Sequence, residues 1–171
     1  MNGLSTHLER FSLKGRRALI TGATRGIGLA ISKAMCEAGA KVYINGRDPD
    51  TIDKLCIDMT ASGYQVFPAS FDVTEASAFE KWLEATAEPP DILVNNAAIR
   101  HRYPINKITP EDFSNVIEVN LNSAFALARN FAMRLKNYEK SGSIINITSI
   151  AGPRARPGDA AYTAAKGGLD A

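Results

Sequence analysis

Cysteine is scarce: Cys36 and Cys56 are the only two in 171 residues. A framework of several disulfides is therefore excluded. Both cysteines fall in stretches with helical patterning and read as small buried hydrophobes, and no apolar signal segment precedes the first strand, so a reducing cytoplasm is the expected compartment. No run reaches the roughly 18 apolar residues of a membrane span, so no membrane partner is expected. Neither sign of charge dominates, with 20 basic against 18 acidic side chains and a net charge of +2. That balance argues against a general nucleic-acid surface and leaves any cationic work to local clusters. No internal repeat, low-complexity segment or metal site is read.

What is present is one domain's worth of chain over residues 1–171, 45% hydrophobic and 22% charged. Its elements alternate. The patterns predict strands at 17–21, 41–45, 65–69, 91–95 and 143–148, and helices at 28–37, 49–61 and 75–87. A long helix is expected over 110–138, with Val116, Val119, Leu121, Phe125, Leu127 and Phe131 as its apolar positions and a break near Asn120. The first helix shows Ile27, Ile31, Ala34 and Met35 at helical spacing before Gly39 stops it. The first ten or so residues read as a loose tail. Strand–helix alternation of this kind specifies an α/β fold, a doubly wound parallel sheet of Rossmann type.

The first strand runs into Thr21-Gly22-Ala23-Thr24-Arg25-Gly26-Ile27-Gly28. Gly22 lets the chain turn off the strand, Gly26 lets the backbone approach a pyrophosphate, and Gly28 lets the helix pack close to the sheet. The helix N-terminus then offers free N–H groups and a positive dipole end to phosphates. The spacing Gly-x3-Gly-x-Gly differs from the commonest dinucleotide fingerprint, so the turn alone leaves an ordinary strand-to-helix connection open.

A second group of residues points to proton transfer. Tyr162 and Lys166 are four residues apart and share a helical face, so the ammonium can stabilise a phenolate. Ser149 lies thirteen residues before the tyrosine, and Asn120 lies further upstream. A Tyr-x-x-x-Lys pair alone is weak, because chance supplies it readily.

Taken together and in order, Thr21-Gly22-x3-Gly26-x-Gly28, Asp72-Val73, Asn95-Asn96-Ala97-Ala98, Asn120, Ser149, Tyr162 and Lys166 resemble the short-chain dehydrogenase/reductase family over nearly the whole chain. Ala98 departs from that pattern, where glycine is usual. The resemblance implies an oxidoreductase in which Tyr162 is the acid/base, Ser149 holds the substrate oxygen, and Lys166 also holds the nicotinamide ribose. It implies that Asn120 binds a water relaying protons to that lysine. Gly22, Thr24, Arg25, Gly26, Ile27, Gly28, Asp72, Val73, Asn95 and Ala97 join Tyr162 and Lys166 as expected cofactor contacts.

Cofactor choice is read at the end of the second strand, where Asn45-Gly46-Arg47 carries no carboxylate to meet the ribose hydroxyls of NAD. Arg47, with Arg25 from the glycine turn, can instead form charge-assisted bonds to a 2′-phosphate, which favours NADP over NAD. Arginines recur in Ile99-Arg100-His101-Arg102-Tyr103-Pro104 and in Pro153-Arg154-Ala155-Arg156-Pro157-Gly158, two segments expected to border the mouth of the site. They suit an anionic small molecule, and solubilising loop charge is the alternative. Within the family these segments resemble the gluconate 5-dehydrogenases. That resemblance implies D-gluconate and 5-keto-D-gluconate as the interconverted pair, with Arg102 and Arg156 holding the carboxylate beside Ser149 and Tyr162. A 3-ketoacyl-carrier reductase is the rival.

The resemblance also implies a homodimer or homotetramer built through the helices after Pro110 and around Tyr162. Ala171 follows Lys166 by five residues, where family members continue, so a C-terminally incomplete domain is expected. A nucleotide-binding fragment without turnover is the second reading.

Overall fold

The computed structural model describes residues 9–171. The tail expected at the start lies, up to residue 8, outside the described residues. Five parallel strands, β1 (Arg17–Ile20), β2 (Lys41–Gly46), β3 (Val66–Ser70), β4 (Ile92–Asn95) and β5 (Ser143–Asn146), form one sheet in the order β3-β2-β1-β4-β5. The helices are α1 (Gly26–Glu37), α2 (Pro49–Ala61), α3 (Ala76–Ala85), α4 (Pro110–Ile117), α5 (Ser123–Asn137) and α6 (Ala160–Asp170), and a π-helical segment (Glu118–Asn122) joins α4 to α5. The chain winds outward from β1 to β3, returns to β4 beside β1, and so reverses direction between β1 and β4. This is the doubly wound Rossmann-type arrangement the alternation predicts.

Alternation along the buried strands sorts two cores. Ala18, Ile20, Val42, Ile44 and Val94 face the side covered by Ile52 and Met59 of α2. Leu19, Tyr43 and Leu93 face Phe79, Leu127 and Phe131 of α3 and α5. With helices on both faces, the central strands bury apolar residues in both directions, which is why they read as nearly continuous apolar runs. Among the described residues no helix is long and apolar enough to cross a membrane.

Two sequence expectations change. Helix α1 packs Ile31 and Met35 of the expected stripe against the core, but its fully buried residues are Gly28 and Ser32, while Ile27 is 65% exposed and Ala34 lies at the surface. A helix seated this close to the sheet must place its smallest residues inward. Phe125 is 69% exposed, and Ala124 and Leu127 take the inward positions of α5. At the edge of the sheet, β5 leaves all four of its residues exposed, with Ile144 and Ile145 each at 41%.

The break expected near Asn120 is the π-helical segment, a feature that frequently marks functional positions in helices. The start of α4 is fixed by a reciprocal capping box: Thr109 Oγ1 accepts from Asp112 N at 3.1 Å, and Asp112 Oδ2 accepts from Thr109 N at 3.2 Å. Pro110 occupies the first helical turn, where its missing N–H costs nothing.

Candidate active site at the carboxyl ends of the strands

The glycine turn leaves β1 through Gly22, whose φ of 61° lies in the left-handed region, and enters α1 at Gly26, whose φ is 57°. Asn96 holds this turn. Its Nδ2 donates to the carbonyls of Thr21 at 2.8 Å and Gly22 at 3.1 Å. Thr21 Oγ1 accepts from the backbone N–H groups of Asn96 and Ala97, both at 2.9 Å. From the other side, Asn45 Oδ1 accepts from Gly22 N at 3.3 Å, while Asn45 Nδ2 donates to the carbonyls of Ala69 and Phe71 at 2.9 and 3.1 Å. Three segments distant in sequence thus fix one turn. Arg25, at the N-cap of α1, provides no side-chain bond to the helix, so the first-turn N–H groups receive none from it. A Cβ built on Gly26 meets nothing within 4 Å. An uncapped helix N-terminus above an open glycine fits a dinucleotide pyrophosphate. Ile27 and Arg25 are exposed beside it.

Around this turn stand the other expected cofactor residues. Arg47 has a side chain 79% exposed, and its Nη1 lies 3.9 Å from Asp72 Oδ2. Asp72 Oδ1 also accepts from Thr74 N at 3.0 Å, which shapes the loop after β3, and Val73 is buried beside it. The methyl group of Thr24 packs against Gly46, whose built Cβ would lie 2.9 Å away. Asn95 points inward: its Nδ2 donates to Asn146 Oδ1 at 2.9 Å and to the Ala124 carbonyl at 3.2 Å, tying β4 to β5 and α5. Asn96 and Ala97, rather than the Asn95 side chain, border the turn.

The proton-transfer group gathers next to it. Asn120 lies in the π-helical segment, 1% exposed, and spends its side chain on Ile99: Oδ1 accepts from Ile99 N and Nδ2 donates to Ile99 O, both at 2.8 Å. This clamps the loop after β4 onto the helix. Lys166 is 3% exposed and its Nζ donates to the Ile147 carbonyl at 2.6 Å. Burial holds its pKa below the usual lysine value, because desolvation penalises the ammonium. Ser149 sits on the loop after β5, its Oγ accepting from Ala151 N at 3.2 Å. That loop lies against α6, since a Cβ on Gly152 would come within 3.1 Å of the Lys166 carbonyl. Tyr162 packs on the small cluster of Val116, Ala161 and Ala165, together with Ile99 and Leu121.

The arginines at the mouth separate into two groups. Asp159, fully buried, accepts from Arg100 Nε at 2.9 Å, from Arg100 Nη2, and from Arg102 Nε at 3.3 Å. Arg154 and Arg156 are exposed in their loop and have no ion-pair partner among the described residues. The Arg100 hydrogen bonds are the largest cause holding the Asp159 carboxyl below its ordinary value. Arg102 therefore stands on the β4 loop with a carboxylate already attached, while Arg156 does not. Sequence reasoning missed Asp159, Arg100, Asn45 and Asn96. The doubled Asn95-Asn96 was a visible signal for the last; nothing local marked Asp159.

A cavity of about 290 Å³ lined by Arg17, Leu83, Phe131 and Arg134 opens at the opposite end of the strands. Ligands of open α/β sheets bind at the carboxyl ends, near the point where strand order reverses, which is where the glycine turn and Tyr162 converge.

These features define a doubly wound α/β fold of Rossmann type with a glycine turn and the segments carrying Ser149, Tyr162 and Lys166 at the carboxyl end of its sheet. The short chain dehydrogenase family profile matches residues 16–171, and the chain belongs to that family. It is 39% identical to a gluconate 5-dehydrogenase of Gluconobacter oxydans, over 96% of this chain and 65% of that protein. Its fold superposes with a TM-score of 0.88 on a gluconate 5-dehydrogenase from Burkholderia cenocepacia in complex with NADP and tartrate, at 40% identity, covering 95% of this chain and 65% of that one. A 3-oxoacyl-[acyl-carrier protein] reductase with bound NAD from Brucella melitensis is also similar, with a TM-score of 0.87 and 30% identity, over 99% of this chain and 66% of that one. The chain spans about two thirds of the length of these relatives.

Proposed function

We propose that this chain serves an NADP-dependent oxidoreductase that interconverts a secondary alcohol and a ketone on an anionic sugar acid, with D-gluconate and 5-keto-D-gluconate as the pair. The observation that carries the reading is the meeting of two groups at the carboxyl ends of β1, β4 and β5: an uncapped helix N-terminus above an open glycine, and Tyr162 with Lys166 against the Ser149 loop. The nicotinamide supplies hydride chemistry when bound. The chain's own residues do the rest. Tyr162 exchanges a proton with the substrate oxygen, Ser149 holds that oxygen, and the Lys166 ammonium, anchored on the Ile147 carbonyl, stands by to stabilise the phenolate, with its pKa lowered from the usual lysine value by burial. Asn120 keeps the β4 loop in place through Ile99.

NADP is favoured by the end of β2. Asn45 is consumed inside the fold, Gly46 and Arg47 bring no carboxylate to the strand end, Asp48 beyond them accepts from Thr51 Oγ1, and Arg47 stands exposed with, among the described residues, a single long ion pair to Asp72. The anionic substrate is favoured by the exposed Arg156 and by the relative whose structure holds tartrate, whereas Arg102 would have to share its charge with Asp159. Family likeness also supports a homodimer or homotetramer and a cytoplasmic setting.

The rival reading is a reductase of acyl-carrier ketones. Loss of NADPH absorbance with 5-keto-D-gluconate is compared with that on acetoacetyl-carrier thioesters. Turnover of the sugar acid, abolished by Tyr162→Phe with NADPH affinity nearly unchanged, is expected. Turnover of the thioester alone refutes the substrate; activity retained by Tyr162→Phe refutes the acid/base.

A further inference from the structure

Asp159 occupies the N-cap position of α6, where an aspartate side chain ordinarily accepts from the first free N–H groups of its helix. Here it makes no such bond. Its carboxylate, with 0% exposure, turns instead to Arg100 and Arg102 of the β4 loop. A carboxylate with no exposed surface and three N–H donors is a fixed anchor, because losing the two-pronged Arg100 contact would leave it only the single 3.3 Å bond from Arg102. The two loops are joined a second time where Tyr103 N donates to the Gly158 carbonyl at 3.1 Å.

The consequence falls on Tyr162. With its guanidinium forked onto Asp159, Arg100 cannot swing freely into water, and its Cζ lies 4.9 Å from the centroid of the Tyr162 ring. That is within the roughly 6 Å at which a cation is attracted to an aromatic face. Tyr162 is half-buried, packed with Val116, Ile99 and Leu121 over part of its surface, so the cluster alone leaves the uncovered part some freedom. A cation fixed over its ring removes that freedom.

We infer that Arg100, anchored by Asp159, is a positioning residue that holds the Tyr162 ring in one orientation at the candidate site. The inference rests on the proposed role of Tyr162 for its kinetic consequence, but not for its structural one. Aligning a reacting group affects the rate of the chemical step more than affinity. Arg100 therefore governs kcat, whereas a substrate-holding arginine governs KM.

The experiment uses the protein uniformly labelled with 3-fluorotyrosine, the residue-162 signal being the one lost in Tyr162→Phe. The double variant Arg100→Gln/Asp159→Asn keeps an amide pair and strands no buried charge, so the fold survives. Arg100→Lys keeps a cation, and Arg154→Gln is the control. In the double variant the residue-162 ¹⁹F resonance is expected to shift and broaden, while Arg154→Gln leaves it in place. Turnover should fall about threefold to thirtyfold, the span of one cation–ring contact, with KM and NADPH affinity within about twofold. Arg100→Lys should recover much of the loss. An unmoved resonance overturns the inference, and so does a loss confined to KM. If the unaltered protein turns over no sugar acid, that result counts against the proposed function alone, and the resonance still decides the role of Arg100.

Discussion

Gly26 and Gly28 lie two residues apart in the glycine turn and carry different loads, which alanine substitution separates. A Cβ on Gly28 would sit 2.5 Å from the Gly22 carbonyl oxygen, 2.6 Å from Asn96 Nδ2 and 2.9 Å from Ala23 Cα. Carbon contacts are optimal at about 3.5–4.0 Å. Two of the three neighbours are backbone and cannot rotate away, so α1 must back off the sheet by about 1 Å. Overpacking of this kind costs about 1–3 kcal/mol. The retreat also stretches the two Asn96 bonds that hold the turn, each worth about 1 kcal/mol. Alanine returns up to about 1 kcal/mol through its better helix propensity. The net loss for Gly28→Ala is then about 2–4 kcal/mol. Gly26→Ala meets no atom within 4 Å and is charged only for its φ of 57°. That is about 1–2 kcal/mol for an L-residue in the left-handed region. Urea unfolding at a slope of about 2 kcal/mol/M should show midpoints lowered by about 1–2 M for Gly28→Ala and by about 0.5–1 M for Gly26→Ala. Binding of NADPH to the folded proteins should weaken at least about tenfold in Gly26→Ala, whose new methyl projects into the space proposed for the pyrophosphate. A Gly28→Ala midpoint at or above that of Gly26→Ala refutes the packing argument.

The exposed Arg47 gives a cofactor test: Arg47→Glu should weaken NADPH by about tenfold to a hundredfold, the worth of a charge-assisted bond, and leave NADH nearly unchanged. Unchanged relative efficiencies in steady-state kinetics eliminate the 2′-phosphate role. Lys166 gives a pH test. Burial lowers its pKa below the usual 10.5, so the unfolded chain binds more protons than the folded one in the window between the two values. The cost of holding the ammonium is full at low pH and disappears as pH rises through the folded value toward 10.5. Stability of the native protein relative to Lys166→Met should therefore rise with pH across the alkaline range, measured by denaturant unfolding. The raised thiol pKa values of Cys36 and Cys56 act in the opposite direction but cancel in that difference. A flat difference removes the desolvation argument.

The order of elements was legible because it depends on short-range signals. Apolar runs bounded by Gly39 and Pro49, the Thr109–Asp112 box and the glycine turn each act within a few residues, and β1 to β4, α2 and α3 lie within two residues of where periodicity predicts them. The interruption at Asn120 was also visible as a disturbed pattern. Helical periodicity held in part where the partner surface decided the outcome: Ile31 and Met35 of α1 reached the core, but the closeness of α1 to the sheet put Gly28 and Ser32 deepest and left Ile27 outside, as Phe125 was left outside in α5. Motif residues declared themselves by type and spacing, but not by what they touch. Asn95 carries a motif and turned out to be an internal tie between β4, β5 and α5.

By itself, then, the sequence determined the fold class, the glycine turn and the family, since the alternation of elements, the turn and the order of motifs are all written along the chain. Only the tertiary structure decided that Asp159 binds Arg100 and Arg102, 59 and 57 positions away, that Asn45 braces the glycine turn from 23 positions away, and that Asn120 clamps Ile99. Those contacts depend on which loops the strand order β3-β2-β1-β4-β5 brings to the same end of the sheet. Charge and hydrogen-bonding capacity are local properties of a residue. The partner that uses them is set by topology.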